Sequence, residues 1–301
     1  MKVKDLIELD KKGELSGSFD NEDVSNEDYH AGPAISSSGL KLLLADGPDA
    51  FKHCYIDGNR TESTPAMALG TALHCAVLEP DKYKGIYVSD KDAIALGSRR
   101  TNAYKAKLEQ LSSGGKVVLP EDDLEKVKAM RDNLLDCPAG QFLFGGASTE
   151  KSIYWKEDEI LCKVRLDSIK QVEDYYVVCD IKTTSKPLRE FNKQILNFGY
   201  HTSAAMYALG VERVLNKPVK FVWAVVSTKP PYSKRFVTIN NDSFETGYDN
   251  FRKGLKLYKQ CLTNGVWPSY KEDYESGNIF EEISIPHWAI EDKMYKGGDN
   301  V

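Results

Sequence analysis

The sequence has no CxxC pair; its six cysteines, Cys54, Cys75, Cys137, Cys162, Cys179 and Cys261, are scattered across 301 residues. That spacing suggests neither a structural zinc site nor a tight cysteine-ligated cluster. Several cysteines lie inside apolar runs, where the free thiol behaves as a small core side chain. No apolar run approaches the ~20 residues that span a bilayer. Residues 1–28 lack the apolar centre of a secretory signal, so a cytoplasmic protein with no membrane contact is expected. No internal repeat is present. Basic charge is not in excess either: the formal net charge is −5. A nucleic-acid ligand would therefore need a locally basic groove within an acidic molecule. The chain is 41% hydrophobic and 28% charged, which suits a soluble globular protein large enough to bury a substantial core.

What is present begins with a polar, acidic stretch. Residues 1–28 read as a flexible arm with one short helix near 5–10. From Tyr29 the character changes. Ser36, Ser37 and Ser38 are candidate caps for a helix carrying Gly39-Leu40-Lys41-Leu42-Leu43-Leu44, ended by Gly47-Pro48. In STPAMALGTALHCAVLEP, Ser63 or Thr64 caps a second helix, Pro65 suits its first turn, and Pro80 marks its end. This helix is apolar on nearly every side, which predicts burial of His74, with Gly70 one turn earlier letting another element approach. Residues 84–149 carry a weaker pattern: a basic helix over 102–111, preceded by Arg99 and Arg100 and including Lys105, then a helix over 121–135. Arg99, Arg100 and Lys105 are candidate phosphate contacts, although such charges are usually a solvated face.

At residue 150 the pattern switches to period two. Glu150, Ser152 and Tyr154 share one face. Past a turn, Cys162, Val164 and Leu166 point one way and Lys163, Arg165 and Asp167 the other, which predicts a hairpin with one charged face. The apolar run Tyr175-Tyr176-Val177-Val178-Cys179 then delivers Asp180-Ile181-Lys182, with Asp180 and Lys182 on a common face and Ile181 pointing away. A helix follows Pro187, breaks near Gly199 and resumes with Tyr200, Ser203, Ala204 and Tyr207 on one face. Strands over 221–226 and 235–239 and an amphipathic helix carrying Phe244, Tyr248, Phe251, Leu255, Tyr258 and Leu262 complete the main body. The tail beyond residue 270 is acidic and weakly patterned.

An acid-x-lysine string recurs by chance, and the bland reading of Asp180 and Lys182 is a surface ion pair. The order of elements gives it weight. Phosphodiester hydrolysis needs an activated water, neutralisation of charge in the transition state and help for the leaving oxygen, and a hard divalent ion supplies all three. Asp167, Asp180 and the Ile181 carbonyl are oxygen donors for Mg²⁺, or Mn²⁺, with His74 a nitrogen ligand. Lys182 would orient water and stabilise negative charge. Glu150 is a candidate for water activation or a second ion.

These segments together resemble the PD-(D/E)XK nuclease superfamily, and more narrowly the nuclease domain of the RecE (exonuclease VIII) family. The resemblance rests on ISSSGLKLLL at 35–44, LGTALHCAVLEP at 69–80, EKSIYW at 150–155, KVRLD at 163–167, CDIKTT at 179–184 and GYHTSAAMY at 199–207. It implies an α/β fold with a mixed central sheet flanked by helices, over residues 29–270, with 271–301 as a tail. It also implies His74, Asp167 and Asp180 as metal ligands, Lys182 as the catalytic lysine and Glu150 as an acid of less certain role. Arg165, Tyr200 and Tyr207 join the candidate DNA contacts. The implied activity is Mg²⁺-dependent degradation of linear double-stranded DNA from an end, 5′→3′, leaving a 3′ strand for a single-strand annealing recombinase of phage type. The implied assembly is a homo-oligomeric ring enclosing DNA, as in lambda exonuclease, in the bacterial host cytoplasm. Ser203 stands where such proteins generally carry glutamine, and the absence of cysteine ligands sets the chain apart from the iron–sulfur branch. An endonuclease of the same fold and a catalytically weak DNA-end-binding protein are the alternatives.

Overall fold

The protein is described by a computed structural model covering residues 1–59, 63–269 and 284. The expected tail, 271–301, therefore falls outside the described residues except for residue 284. Nine strands occur among them: β1 Gly17–Phe19, β2 Ile35–Ser36, β3 Tyr87–Ser89, β4 Val117–Leu119, β5 Ser148–Glu157, β6 Ile160–Val172, β7 Tyr175–Thr184, β8 Val219–Ser227 and β9 Lys234–Thr238. Seven form a mixed sheet in the order β1-β5-β6-β7-β8-β9, with β2 lying parallel to β6; β3 and β4 form a separate parallel pair. Antiparallel hairpins join β5 to β6 and β6 to β7. The parallel β7–β8 pair needs a crossover, and the Tyr200–Leu215 helix supplies it.

Period-two alternation divides the core into two layers. From β7, Val178 joins one cluster while Val177, Cys179 and Ile181 join the other; from β8, Phe221, Trp223 and Val225 separate in the same way from Ala224 and Val226. The first layer is closed by the helices Ser37–Ala45, Tyr200–Leu215 and Asn241–Asn264, through residues such as Leu40, Met206 and Phe251. The second is closed by Pro65–Leu78, Glu121–Leu135 and Pro138–Phe144. Helices on both faces of a mixed sheet are the architecture expected of the PD-(D/E)XK core.

The helix starts follow their capping chemistry. Ser36 Oγ accepts from the Gly39 amide at 3.3 Å, and Thr64 Oγ1 from the Met67 amide at 3.2 Å. The break at Gly199 is real: φ is +59° there, between the Phe191–Asn197 and Tyr200–Leu215 helices. Gly70 is less demanding than expected, since a Cβ on it would meet Thr183 Oγ1 at an ordinary 3.6 Å.

One expectation fails clearly. Residues 1–28 are no free arm: they contain the helix Val3–Lys12, β1 paired to β5, and the start of the helix Asn26–Ala31. Leu6, Leu15 and Val24 are fully buried with Tyr29, Tyr154 and Leu161. Each such side chain contributes about 1.5–3 kcal/mol by leaving water. The first helix carries a short apolar stripe at Val3, Leu6 and Leu9, but Leu15 and Val24 stand singly among polar residues, which is why the segment as a whole reads as polar.

The long Asn241–Asn264 helix crosses the Tyr200–Leu215 helix at Gly247, where a Cβ would collide with the His201 carbonyl. Backbone cannot yield as a side chain can. Gly247→Ala should cost about 1–3 kcal/mol, read as a lower urea midpoint with an unchanged m-value.

Candidate active site

The β6–β7 pairing closes at Ser168 and Cys179, which brings Asp167 and Asp180, the next residue on each strand, side by side. The β5–β6 register does the same for Glu150 and Asp167, because Thr149 faces Ser168 and Lys151 faces Leu166. Three carboxylates thus arrive from three adjacent strands. Regular geometry gives way here: Glu150 has φ +52°, and Leu166 and Ile169, three residues apart, both enter the same core cluster. Strict alternation would have separated them. A non-glycine residue in the left-handed region costs of order 1 kcal/mol or more, and such strain collects at functional sites.

The buried carboxylates are matched by two cations. His74, on the Pro65–Leu78 helix, turns Nδ1 to the Gly70 carbonyl at 2.8 Å and Nε2 to Asp167 Oδ2 at 3.0 Å. The same Oδ2 accepts from the Ile181 amide at 2.7 Å. Lys182 Nζ lies 2.5 Å from Asp180 Oδ2 and 3.4 Å from the Ile181 carbonyl. Asp180 and Lys182 share a face while Ile181 is fully buried in the opposite layer, as the alternation requires.

Electrostatics follow from burial set against these partners. Burial alone would depress His74, but the adjacent Asp167 carboxylate holds it up at about 9. Asp167 itself is held below the usual range: burial opposes this, and the His74 charge and hydrogen bond prevail. Asp180 is pushed up by burial, with the Asp167 charge adding and Lys182 opposing. Lys182 is raised despite its burial, because both carboxylates favour its charged form. It is therefore a fixed cation in this arrangement, suited to stabilising charge rather than to accepting a proton.

The donor set fits a hard divalent ion: two carboxylates, the Ile181 carbonyl and one imidazole. Two acids side by side in a buried site, one with its ionisation suppressed, are what a divalent cation would relieve. The donors do not form a ready cage, however. Among the described residues no three His, Cys, Asp or Glu side chains converge as a metal cluster. They stand instead as two ion pairs, so an ion would displace the His74 proton and the Lys182 ammonium from their carboxylates.

Glu150 is engaged differently. Its Oε2 accepts from Arg165 Nε at 2.8 Å, and burial with the nearby Asp167 charge pushes its carboxyl up against the opposing guanidinium. Arg165 also donates to Ser152 Oγ at 2.8 Å, to the Val24 carbonyl at 3.1 Å and to Asn21 Oδ1. Expected as a DNA contact, Arg165 is buried, with its donors turned inward. Its neighbour Lys163 likewise bonds the carbonyls of Tyr29 and Gly32. The charged face of the hairpin is thus roofed by residues 17–33, which sequence periodicity cannot foresee.

The remaining candidates scatter. Tyr200 and Tyr207 flank the site; the Tyr200 ring centroid is 5.2 Å from Lys182 Nζ, and Tyr207 is pushed up by burial and the Asp180 charge. Ser203 is buried on the same helix with its hydroxyl unpartnered. Arg99 is tied to the buried Asp90 at 3.2 Å, which also accepts from Tyr104 and the Glu121 amide. Its role there is to pin a loop. Arg100 and Lys105 are exposed, on a segment that packs against Lys91–Ile94 and β4 rather than the site. Lys41, the single charge in the helix SSGLKLLLA, also reaches this region, with its Nζ 5.2 Å from the Tyr200 ring centroid. Removing Arg165 strands a buried carboxylate and several acceptors, so Arg165→Ala should cost about 3–5 kcal/mol of stability, measured by chemical denaturation.

Comparison with known proteins agrees with this architecture. A family profile, the PDDEXK-like domain of unknown function (DUF3799), matches residues 36–278. No curated protein matches the chain. Among solved structures, a candidate exonuclease from Eubacterium rectale superposes with a TM-score of 0.58 at 13% identity, covering 90% of this chain and 97% of that one. At that identity the likeness is one of fold. A second structure, SSO0001, has a TM-score of 0.27 at 15% identity over 63% of this chain and 84% of that one, too distant to carry weight. By profile and by fold, the chain belongs to the PDDEXK-like DUF3799 family, with the PD-(D/E)XK nuclease architecture.

Proposed function

We propose that the protein is a Mg²⁺-dependent nuclease that degrades linear double-stranded DNA from an end. The observation that carries this reading is the pair of neighbouring carboxylates, Asp167 and Asp180, within the adjacent strands β6 and β7, with Lys182 held at 2.5 Å from Asp180 and His74 at 3.0 Å from Asp167. The family and fold support hydrolysis of nucleic acid, and the fold likeness to a candidate exonuclease supports action from an end. The finer reading rests on the RecE-like motifs: 5′→3′ polarity, a 3′ strand handed to a single-strand annealing recombinase, and a ring that confines basic charge to its channel.

A bound Mg²⁺ would supply Lewis-acid polarisation of the phosphate and activation of water. Asp167, Asp180 and the Ile181 carbonyl would hold it, with His74 completing the set. With Asp180 engaged by the ion, the Lys182 ammonium would serve a non-bridging phosphate oxygen and orient the attacking water. Its preference for the protonated state suits that electrostatic role. The Tyr200 ring lies beside the Lys182 ammonium, with 5.2 Å between Nζ and the ring centroid. His74 is kept in one ring orientation by the Gly70 carbonyl, which leaves Nε2 directed at the carboxylates.

The test is digestion of linear, nicked and closed circular duplex DNA with Mg²⁺ or EDTA. Linear duplex should be degraded only with Mg²⁺, and closed circles should survive. Asp180→Asn and Lys182→Ala should each lower the rate by at least about 100-fold while the far-ultraviolet circular dichroism spectrum is unchanged. Cleavage of closed circles would make the protein an endonuclease, and full activity in either variant would refute the site.

A further inference from the structure

We propose that Lys41 is a second phosphate-gripping residue, whose ammonium takes a non-bridging oxygen of the substrate strand beside the phosphate served by Lys182. The proposal deepens the nuclease reading and rests on it. Lys41 lies on the Ser37–Ala45 helix, half-buried, at the edge of the layer that carries the active-site face of β7. Its Nζ sits 5.2 Å from the Tyr200 ring centroid, the same distance as Lys182 Nζ. One ring therefore holds two ammonium groups, and they are very differently served. Lys182 has Asp180 and the Ile181 carbonyl. For Lys41, among the described residues, the ring is the contact: no carboxylate or carbonyl hydrogen-bonds it.

An ammonium withdrawn from water without an anion, and next to another cation, is unfavourable for the fold. Burial and the Lys182 charge accordingly pull Lys41 down to about 8, against the pull of Asp180. The backbone nevertheless makes room for it. At Gly199, where φ is +59°, a Cβ would stand 3.0 Å from Lys41 Cδ and 3.3 Å from Cγ. The left-handed glycine that starts the Tyr200 helix thus also leaves the channel along which the lysine stem passes. A lysine kept for packing alone would reach water or a carboxylate by the shortest route. This one is led past a glycine onto the aromatic wall of the active site, with no carboxylate or carbonyl hydrogen-bonded to it among the described residues. A phosphodiester is the anion that such a site would meet. Two cations on one ring match a strand that runs past the catalytic lysine and carries a charge at every step.

The experiment compares the full chain with Lys41→Met and Lys41→Arg. Melting temperature is measured first. Affinity for a short fluorescein-labelled linear duplex is then measured by anisotropy across a salt series, with Ca²⁺ in place of Mg²⁺. Lys41→Met should bind about 10-fold more weakly, with a salt slope shallower by about one, and should melt no lower than the unaltered protein, since it removes a charge that burial disfavours. Lys41→Arg should retain most of the affinity. Unchanged affinity and salt slope in Lys41→Met would overturn the proposal. So would weaker binding that comes with a lower melting temperature in both variants, which would make Lys41 a structural residue. Failure of the unaltered protein to bind duplex would remove the nuclease reading itself, and with it this proposal.

Discussion

Two carboxylates that must lie side by side in a buried place set the terms for this molecule. Asp167 and Asp180 lie side by side because the β6–β7 pairing closes at Ser168 and Cys179, the residue next to each acid. Like charges so placed cannot both ionise without cations nearby. The fold provides them from two directions, His74 from the helix behind the sheet and Lys182 from the same strand as Asp180. The two acids shift in opposite directions: the His74 partner holds Asp167 down, and burial pushes Asp180 up. That asymmetry lets a buried acidic site persist without leaving both charges uncompensated, and it leaves oxygen donors for a divalent ion to claim.

A second layer of charge stands behind the first. Glu150 adopts a left-handed backbone conformation opposite Asp167, and its carboxylate is closed by Arg165. Arg165 is in turn fixed by Asn21 and the Val24 carbonyl. The N-terminal segment is therefore joined to the site through one guanidinium. Asn21 also donates to Glu79 at 2.6 Å, just past the end of the His74 helix. Segments far apart in sequence converge on the strand that carries Asp167, and the position of that acid is determined by all of them.

Much of this was legible in the residues. Alternation over 162–167 and 175–182 gave both strands and their inward faces, and Thr64, Pro65 and Pro80 bounded the His74 helix. Asp180 and Lys182 could be assigned to one face because a strand has a period of two. Other features depended on neighbours that local pattern does not carry. Lys163 and Arg165 alternate with apolar residues, which reads as a solvated face, yet residues 17–33 cover them. Leu15 and Val24 stand singly among polar residues and are buried all the same, beside Leu6 of the first helix. Lys41 looked like one polar residue on a core helix. Its position above Tyr200 depends on a glycine 158 residues away in sequence. Pairs of this kind are visible only once the chain is folded.

The central claim is that Asp167, Asp180 and His74 together form one divalent-ion site. Calorimetric titration of the unaltered protein with Mn²⁺ near neutral pH, in buffers of different ionisation enthalpy, tests it without any DNA. The account predicts saturable binding accompanied by proton release, because the ion and a proton compete for His74 Nε2, and loss of that binding in Asp180→Asn. Equal Mn²⁺ binding by Asp180→Asn, or no saturable binding by the unaltered protein, would contradict it.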